Sequence, residues 1–351
     1  DRDLLHGLDI VATHNRYHPV RNYLDSCAAS WDGKLRADTL FIKYLGCDDT
    51  PYHREAARLM LLGAVTRVFE PGHKFDFVPI LEGVQGKGKS TWVRILALDW
   101  YSELTGDISN TKEMIEALQG SWILEVGELS AMHKSEVNEL KAFVSRTFDK
   151  GRPAYGRRVM VFPRQCIFIG STNDDAYLRD QTGGRRYWPI KCGLEGEINN
   201  DAFAAVVGQI WAEAYSIYLS MRKRFPHGDL PLYIRDQVAA EEAREVQESR
   251  RVETADDILA AKIEVWLDKP PMDDTGFDDL DVTAPREGRK ETCTAEIWEE
   301  MLGNTAREID NINAQKIGRA LRKIGWNPTR NIVSTHAVNK KYGRCRVYLR
   351  D

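Results

Sequence analysis

An α/β fold on a parallel sheet is what this sequence predicts, and three observations predict it. Short apolar runs alternate with helical patterns from residue 74 to about 192, the order that makes an α/β core. One run, Val78 to Leu81, leads into Gly83-Val84-Gln85-Gly86-Lys87-Gly88-Lys89-Ser90, and a helical stretch from Lys89 to Leu98 leaves it. A later run, Trp122-Ile123-Leu124-Glu125-Val126-Gly127-Glu128, is apolar almost throughout and ends in acid.

The glycine-rich stretch fits the phosphate-loop spacing of Gly, four free positions, Gly, Lys and Ser/Thr. At average residue usage a chain this long shows that spacing by accident about once in a hundred times. Its glycines let consecutive N–H groups curl around a polyphosphate, and the helix start adds partial positive charge. Gly83, Gln85, Gly86, Lys87, Gly88, Lys89, Ser90 and Thr91 are therefore the candidate nucleotide contacts, with ATP and Mg²⁺ as the expected ligands. Lys89 would reach the β and γ phosphates, and Ser90 would hold the metal. Pro79 cannot donate to a ladder, so the paired part of the incoming strand is expected to be short.

Residues 1–70 read as a mostly helical region, clearest over 52–69, where Ala57, Leu59, Met60, Leu62, Ala64, Val65 and Val68 make a broad apolar face before Pro71-Gly72. The ATPase core is expected over 71–200. Within it, Asn110-Thr111-Lys112-Glu113 can cap a short helix that Gly120 ends. Glu128, at the end of the acid-bearing strand, occupies the place of a residue that holds Mg²⁺ or polarises the attacking water. Glu125 interrupts the apolar run, and a buried carboxylate needs a partner or a cation, so it joins Ser90 and Glu128 as a metal candidate. Cys166 to Ser171 reads as a second short strand running into Asn173, whose amide could sense the γ-phosphate or simply cap a turn. Arg185 and Arg186, after Gly183-Gly184, are arginine-finger candidates, because a second cation at the γ-phosphate stabilises transition-state charge.

Two basic stretches suit DNA. Arg152, Arg157 and Arg158 surround Tyr155 among glycines and a proline, where cations take phosphates and a ring stacks on a base. The same pattern suits a solvated loop or a contact with a neighbouring subunit. Residues 201–267 read as a helical extension of the ATPase module, with Phe203, Val206, Val207, Ile210, Trp211 and Tyr215 on one face. An acidic linker, 268–290, follows; its part from 268 to 281 carries six Asp against one Lys. The last stretch, 291–351, reads as a small α+β domain: helices near 295–302 and 313–324, then strands over 330–336 and 344–349 joined by Asn339-Lys340-Lys341-Tyr342-Gly343. Helices followed by a basic hairpin resemble a winged helix, which would offer Lys316, Arg319, Lys323, Lys340 and Lys341 to DNA or merely to water.

Composition narrows the classes. Net charge is −4, but residues 311–351 carry ten Lys/Arg against one Asp, an asymmetry of nucleic-acid-binding ends and of solvated faces alike. Six scattered cysteines without a Cys-x-x-Cys pair indicate a reduced, cytoplasmic chain with no structural zinc. No His-Glu-x-x-His spacing occurs among the eight histidines, and metal binding by them is not expected. No apolar stretch approaches the ~20 residues that span a bilayer, so no membrane partner is expected. A first residue of Asp rather than Met is what a piece of a longer protein would show.

The motifs also come in a particular order. Gly-x-Gln-Gly-x-Gly-Lys-Ser is followed by Glu125-x-x-Glu128-Leu129, Lys141-Ala142-Phe143, Arg152-Pro153 with Tyr155-Gly156-Arg157, Arg164-Gln165-Cys166, Ser171-Thr172-Asn173 and Gly184-Arg185-Arg186-Tyr187-Trp188. That order resembles the virulence-associated E family of phage, plasmid and genomic-island replication proteins, over about residues 20–220; Tyr44-Leu45-Gly46 and Thr50-Pro51-Tyr52 also match. The resemblance implies a phosphate-loop NTPase core of the AAA+ or superfamily 3 helicase type. It further implies phosphate contacts from Gly83 to Ser90, acid work at Glu128, sensing at Asn173 and an arginine in trans at Arg185 or Arg186. Gly127 stands before Glu128 where many relatives carry Asp, which leaves the metal role either to Glu125 or to a water-mediated contact from Glu128. The function expected is an ATP-dependent DNA helicase or translocase motor, a hexameric ring replicating a mobile element in a bacterial host cytoplasm, with a primase domain or protein as partner. A nucleotide-switched DNA-binding initiator and a small-molecule kinase are the other readings, and stimulation of turnover by single-stranded DNA separates them from a motor.

Overall fold

Local signals start the first helices. In the computed structural model, which describes residues 4, 7–8, 11, 17–105, 108–127, 134–152, 158–178, 184–193, 198–252, 255–269, 288–305, 309–329, 337–343 and 345–350, helix α1 (Pro19–Ala29) opens with His18 accepting the Arg21 N–H. After α2 (Leu40–Leu45) comes α3 (Pro51–Phe69), where Thr50 accepts the His53 N–H and Pro51 takes a first-turn position that needs no donor. The apolar face expected of α3 turns out to be most of its circumference: Leu59, Met60, Leu61 and Leu62 are all buried. It is enclosed because later helices cover one side and the sheet lies on the other.

The sheet assembles from β1 (Val78–Glu82), β2 (Tyr101–Glu103), β3 (Ile123–Val126), β6 (Ile167–Thr172) and β7 (Tyr187–Lys191), in the spatial order β2-β3-β6-β1-β7 with every pairing parallel. Between them run α4 (Lys89–Ala97), α5 (Thr111–Leu118) and α6 (Lys134–Val144), and β4 (Phe148–Gly151) pairs β5 (Met160–Pro163) in a separate antiparallel ribbon. Asn110 caps α5 as its sequence indicated, accepting the Glu113 N–H. Pro79 has its predicted effect on one side only: pairing of β1 with β6 begins at Ile80, whereas pairing with β7 begins at Val78.

Alternation along the strands feeds two cores. Leu81, Ile123, Ile167, Ile169 and Ile190 face one side, packed with Trp92 and Leu96 of α4 and with the helices that enclose α3. Ile80, Leu124, Val126 and Phe168 face the other, against Leu140 and Phe143 of α6. Sheets buried on both faces read as apolar runs, as these do. The first core is closed by α7 (Asn200–Ala204), α8 (Val207–Arg224) and α9 (Gln237–Ser249). Trp211 of α8 lies 4.2 Å from Trp122, and their indole N–H groups reach the Leu96 and Ala64 carbonyls, both at 3.0 Å.

The chain divides into two compact units at Val252/Glu253. The helical region 1–70 thus belongs with the sheet in one unit, and the helical extension expected to reach 267 stops at the end of α9. Helix α10 (Ala255–Leu267) builds the second unit's core instead, through Ala260, Ile263 and Leu267 against Ile317 and Leu321. Amphipathic spacing says that a helix has a buried face, not which core receives it. That second unit continues with β8 (Glu291–Cys293), α11 (Thr294–Glu296) running into a π-helical turn (Ile297–Met301), α12 (Asn311–Lys323), β9 (Trp326–Pro328), α13 (Ala337–Tyr342) and β10 (Val347–Arg350). Its antiparallel sheet has the order β8-β10-β9. Arg289 lies 3.6 Å over the Trp266 ring, so the end of the expected linker is part of this unit; 270–287 lie outside the described residues, as does the strand expected over 330–336. The segment expected to turn a hairpin, 339–343, is largely helical as α13. No helix among the described residues is long and apolar enough to cross a membrane.

One buried histidine makes the first unit's stability depend on pH. His73 accepts the Leu230 N–H at Nε2 (2.9 Å) while Nδ1 faces the Lys74 carbonyl (3.1 Å), an arrangement that suits the neutral ring. Burial lowers its pKa from 6.5, with Glu70 and Asp229, at 4.0 and 3.9 Å, acting in the opposite direction. The unfolded chain therefore takes up the proton first. This contribution is full above about pH 6.5 and is lost as pH falls through the lower native value. The urea midpoint is expected to fall between about pH 7.5 and 5.5, and His73→Gln should flatten the decline, leaving the share of His53, which burial also lowers. An unchanged profile in His73→Gln would show that the ring does not carry the effect.

Candidate functional site

The C-terminal ends of β1, β3 and β6 open into one cleft of about 600 Å³. In parallel α/β sheets that edge is where ligands sit. The loop after β1 can be tight because its glycines take left-handed conformations: Gly86 and Gly88 have φ of 82° and 87°. At Gly88 a Cβ would lie 2.5 Å from the Asn200 amide nitrogen, which itself donates to the Gly88 carbonyl at 3.2 Å. Any larger residue would disturb both the loop and the start of α7.

Lys89 is the first residue of α4 and is largely buried. Its ammonium donates to the carbonyls of Gly83 (2.5 Å) and Val84 (3.1 Å) and to Asn173 Oδ1 (3.1 Å). Burial pulls its pKa below the lysine range, while Cys192 and Glu125 act the other way. Asn173 thus stands where the sequence put it, at the tip of β6 and in contact with the loop lysine. Gln85, Ser90 and Thr91 are exposed and line the cleft, and Lys87 is exposed on the same loop.

Strand alternation explains Glu125. It shares the face of Ile123, the face against which α4 packs, and so it meets the first turn of that helix. Ser90 donates to Glu125 Oε1 at 2.7 Å, and Tyr101 of β2 donates to Oε2 at 2.8 Å. Burial first, and then the bond to Glu125, raise the Tyr101 pKa, so its hydroxyl stays protonated and donating; Arg94 lies 4.7 Å over its ring. The carboxylate that touches the loop serine is therefore Glu125. Glu128, named with it for the metal and first for catalysis, lies outside the described residues.

Three neighbours were not legible beforehand. Glu103 and Asp174 line the same cleft. Glu82, the last residue of β1, is buried and bonded to Arg250 Nε (2.9 Å) and the Tyr177 hydroxyl (2.8 Å). Arg250 also accepts the Tyr177 and Leu178 N–H groups at its carbonyl, which ties the segment after Asn173 to the end of α9.

Arg185 and Arg186 stand elsewhere. They form a short turn (Gly184–Arg186) before β7, whose first residue pairs with Val78, while the glycine loop leaves beyond Glu82, opposite Lys191. The turn is at the N-terminal end of the sheet, and the cleft is at the C-terminal end. Of the basic loop, Arg152 and Arg158 are exposed beside the β4–β5 ribbon, and Tyr155 and Arg157 lie outside the described residues. In the second unit Arg319 pairs with Asp256 at 3.1 Å, Lys323 with Asp257 and Lys341 with Glu300 at 3.0 Å, whereas Lys316 and Lys340 are exposed. Half-exposed pairs of this kind contribute little stability, but they occupy cations that the sequence offered to DNA.

A family model for the virulence-associated protein E-like domain matches residues 24–252, which is most of the chain. The chain belongs to that family. The virulence-associated protein E-like match ends at the residue where the first compact unit ends, so it contains the whole cleft. An A-form apo structure of the NrS-1 C-terminal region is 14% identical, with a TM-score of 0.47, covering 93% of this chain and 78% of that one. Another apo structure of the same region is 13% identical, with a TM-score of 0.41, covering 92% and 77%. A search of curated proteins finds no match.

Proposed function

We propose that this virulence-associated protein E-like chain is an ATP-hydrolysing DNA motor, a helicase or translocase that works as a ring, a hexamer, in replication of a phage or mobile element. A bacterial cytoplasm is its place of action, and a primase its functional partner. The observation that carries this is convergence. A lysine and a serine from the first turn of α4, a carboxylate from β3 and an amide from the tip of β6 meet around one glycine loop at the C-terminal edge of a parallel sheet. The strand order supports it too: the loop strand lies between the Asn173 strand and an edge strand, with the acid strand beyond, as in AAA+ and superfamily 3 cores.

The residues fit ATP and Mg²⁺. Among the described residues no group of three or more His, Cys, Asp or Glu is placed to cage a metal. Mg²⁺ does not require one, since it is usually held by one or two carboxylates together with substrate phosphates and water. Ser90 and Glu125, already 2.7 Å apart, would hold it. When bound, the metal neutralises charge on the β and γ phosphates. Lys89 must exchange its loop carbonyls for phosphate oxygens, while Asn173, released at the same moment, is free to orient the attacking water. The exposed N–H groups of the loop bind the remaining oxygens.

DNA contacts fall to two places. The ribbon β4–β5 ends in exposed Arg152 and Arg158. The second unit has the order helix, strand, helix, helix, strand, helix, strand, which supports a winged-helix reading with α12 as the third helix and α13 inserted between the last two strands. Substituting Lys316, Arg322 and Lys340, exposed cations that pair with no acid among the described residues, by Ala is expected to weaken duplex binding and reduce its salt slope by about 0.9 per lost phosphate contact. The same change at Arg319 and Lys323 should do less, because Asp256 and Asp257 already partner them. A fluorescence-anisotropy titration across a salt series checks this, and equal effects of the two sets would show that those pairs open on binding. The motor itself is tested by ATP turnover with and without single-stranded DNA. Stimulation of several-fold or more is expected; turnover that ignores DNA would favour a nucleotide-switched initiator, and no turnover would remove the enzyme.

A further inference from the structure

Glu82 ends β1 directly before the first glycine of the phosphate loop, and only 1% of its side chain is exposed. A charge buried there needs a partner, and the partner is Arg250, whose Nε lies 2.9 Å from each carboxylate oxygen. The Tyr177 hydroxyl donates to Oε1 at 2.8 Å. Burial first, and then the Glu82 charge, raise the Tyr177 pKa, so the hydroxyl keeps its proton and goes on donating.

The backbone of Arg250 makes a second set of bonds. Its carbonyl accepts the N–H groups of Tyr177 (3.1 Å) and Leu178 (3.0 Å), and the Leu178 carbonyl accepts that of Val252 at 3.1 Å, which closes a parallel bridge between Leu178 and Arg251. Asp174, Asp175 and Ala176 alone separate Tyr177 from Asn173, the amide bonded to Lys89 in the free site. The chain passes into the second unit directly after Val252. One residue thus fixes the end of the loop strand through its side chain and the segment after Asn173 through its backbone, at the point where the chain leaves the first unit. The two sets of bonds are hard to separate. If residues 250–252 shift while Glu82 stays, the carboxylate is left buried without its cation, next to the loop that would take a triphosphate.

We propose that Arg250 is a positioning residue that couples the nucleotide site to the exit segment 250–252, so that DNA held by the second unit regulates ATP turnover. The inference rests on the ATP hydrolysis and the DNA binding proposed above. Arg250 touches neither phosphate nor the attacking water. It acts through Glu82, which sets the end of β1, and through Tyr177 and Leu178, which anchor the segment that carries Asn173. Two arrangements are involved. In the free site Asn173 is bonded to Lys89; with phosphate on Lys89 it is released, and residues 174–178 draw the Arg250 carbonyl and the exit segment with them. DNA that favours one position of the exit segment then favours one arrangement of Asn173. By linkage, nucleotide changes DNA affinity by the same factor as DNA changes nucleotide affinity.

Affinity of the full chain for a non-hydrolysable ATP analogue, with and without a duplex oligonucleotide, reads the coupling directly. A ratio of about fivefold or more is expected in the wild type. A ratio near one is expected in the double variant Glu82→Gln/Arg250→Gln, which lacks both charges. Arg250→Lys keeps the charge and should retain an intermediate ratio, and Tyr177→Phe, which removes one hydroxyl bond, should lower it in part. Stimulation of turnover by the duplex should fall in the same order. A merely structural role would lower the melting temperature of these variants and leave the ratio alone. The assignment is overturned if the double variant keeps the wild-type ratio or, where that variant does not fold, if Arg250→Lys and Tyr177→Phe both keep it. A wild-type chain that binds analogue and duplex independently also overturns it, while its turnover leaves the ATPase reading standing. A wild-type chain that neither binds nor hydrolyses ATP removes the reading beneath it and this coupling together.

Discussion

ATP turnover in Lys89→Ala is expected to fall about a thousandfold or more, the range seen when one preorganised donor is taken from a developing charge. The reasoning starts from the ammonium's partners, two carbonyls of the glycine loop and the amide of Asn173. None is an apolar core side chain, and Asn173 lines the cleft, so losing the ammonium leaves the packing untouched. The apolar packing of α4 depends on Trp92, Val93 and Leu96 instead. Stability should therefore change by no more than a degree or two in melting temperature, and a circular dichroism melt separates lost chemistry from lost fold. Nucleotide binding, measured with a fluorescent ATP analogue, should weaken as well, because the cation meets phosphate charge in the ground state too. Turnover within tenfold of wild type would remove the site assignment altogether.

What the sequence made legible was whatever depends on near neighbours in the chain. A loop glycine at positive φ is a local requirement, so the phosphate-loop spacing and the cap at Asn110 could be read directly. Glu125 could be read only as a difficulty, an acid inside an apolar strand. Its solution, the Ser90 hydroxyl, needs β3 beside α4 and is visible only in the fold. Glu82 and Arg250 lie 168 residues apart and carry no pattern that joins them. The error in the tail has a specific cause. Gly343, with φ of 75°, follows the last helical residue of α13, where a glycine ends a helix; next to Asn339, Lys340 and Lys341 the same glycine reads equally well as a hairpin turn. The cations of α12 show a further limit, since helical spacing exposes Arg319 and Lys323 but says nothing of the acids that α10 sets against them.

Glu125→Gln is expected to lower turnover about a hundredfold or more and to raise the Mg²⁺ concentration needed for half-maximal rate. Both carboxylate oxygens are acceptors in the free site, one for Ser90 and one for Tyr101. An amide of the same size keeps one acceptor and turns the other position into a donor, so one hydroxyl loses its partner while the negative charge disappears. If the amide nitrogen faces Ser90, the serine swings away from the metal position; if it faces Tyr101, the link between β2 and β3 loosens and Ser90 keeps its place. Either way the cation loses a full charge, and this is why the metal requirement should shift along with the rate. Ser90→Ala should produce the same shift, and the double variant should cost less than the sum of the two singles, because both act on one metal position. Glu128→Gln supplies the contrast: an acid that polarises water should slow the chemical step at unchanged Mg²⁺ requirement. A Glu125→Gln variant with wild-type metal dependence, beside a Glu128→Gln variant that has lost it, would reverse these roles and leave Glu125 as the anchor of Ser90 and Tyr101 alone.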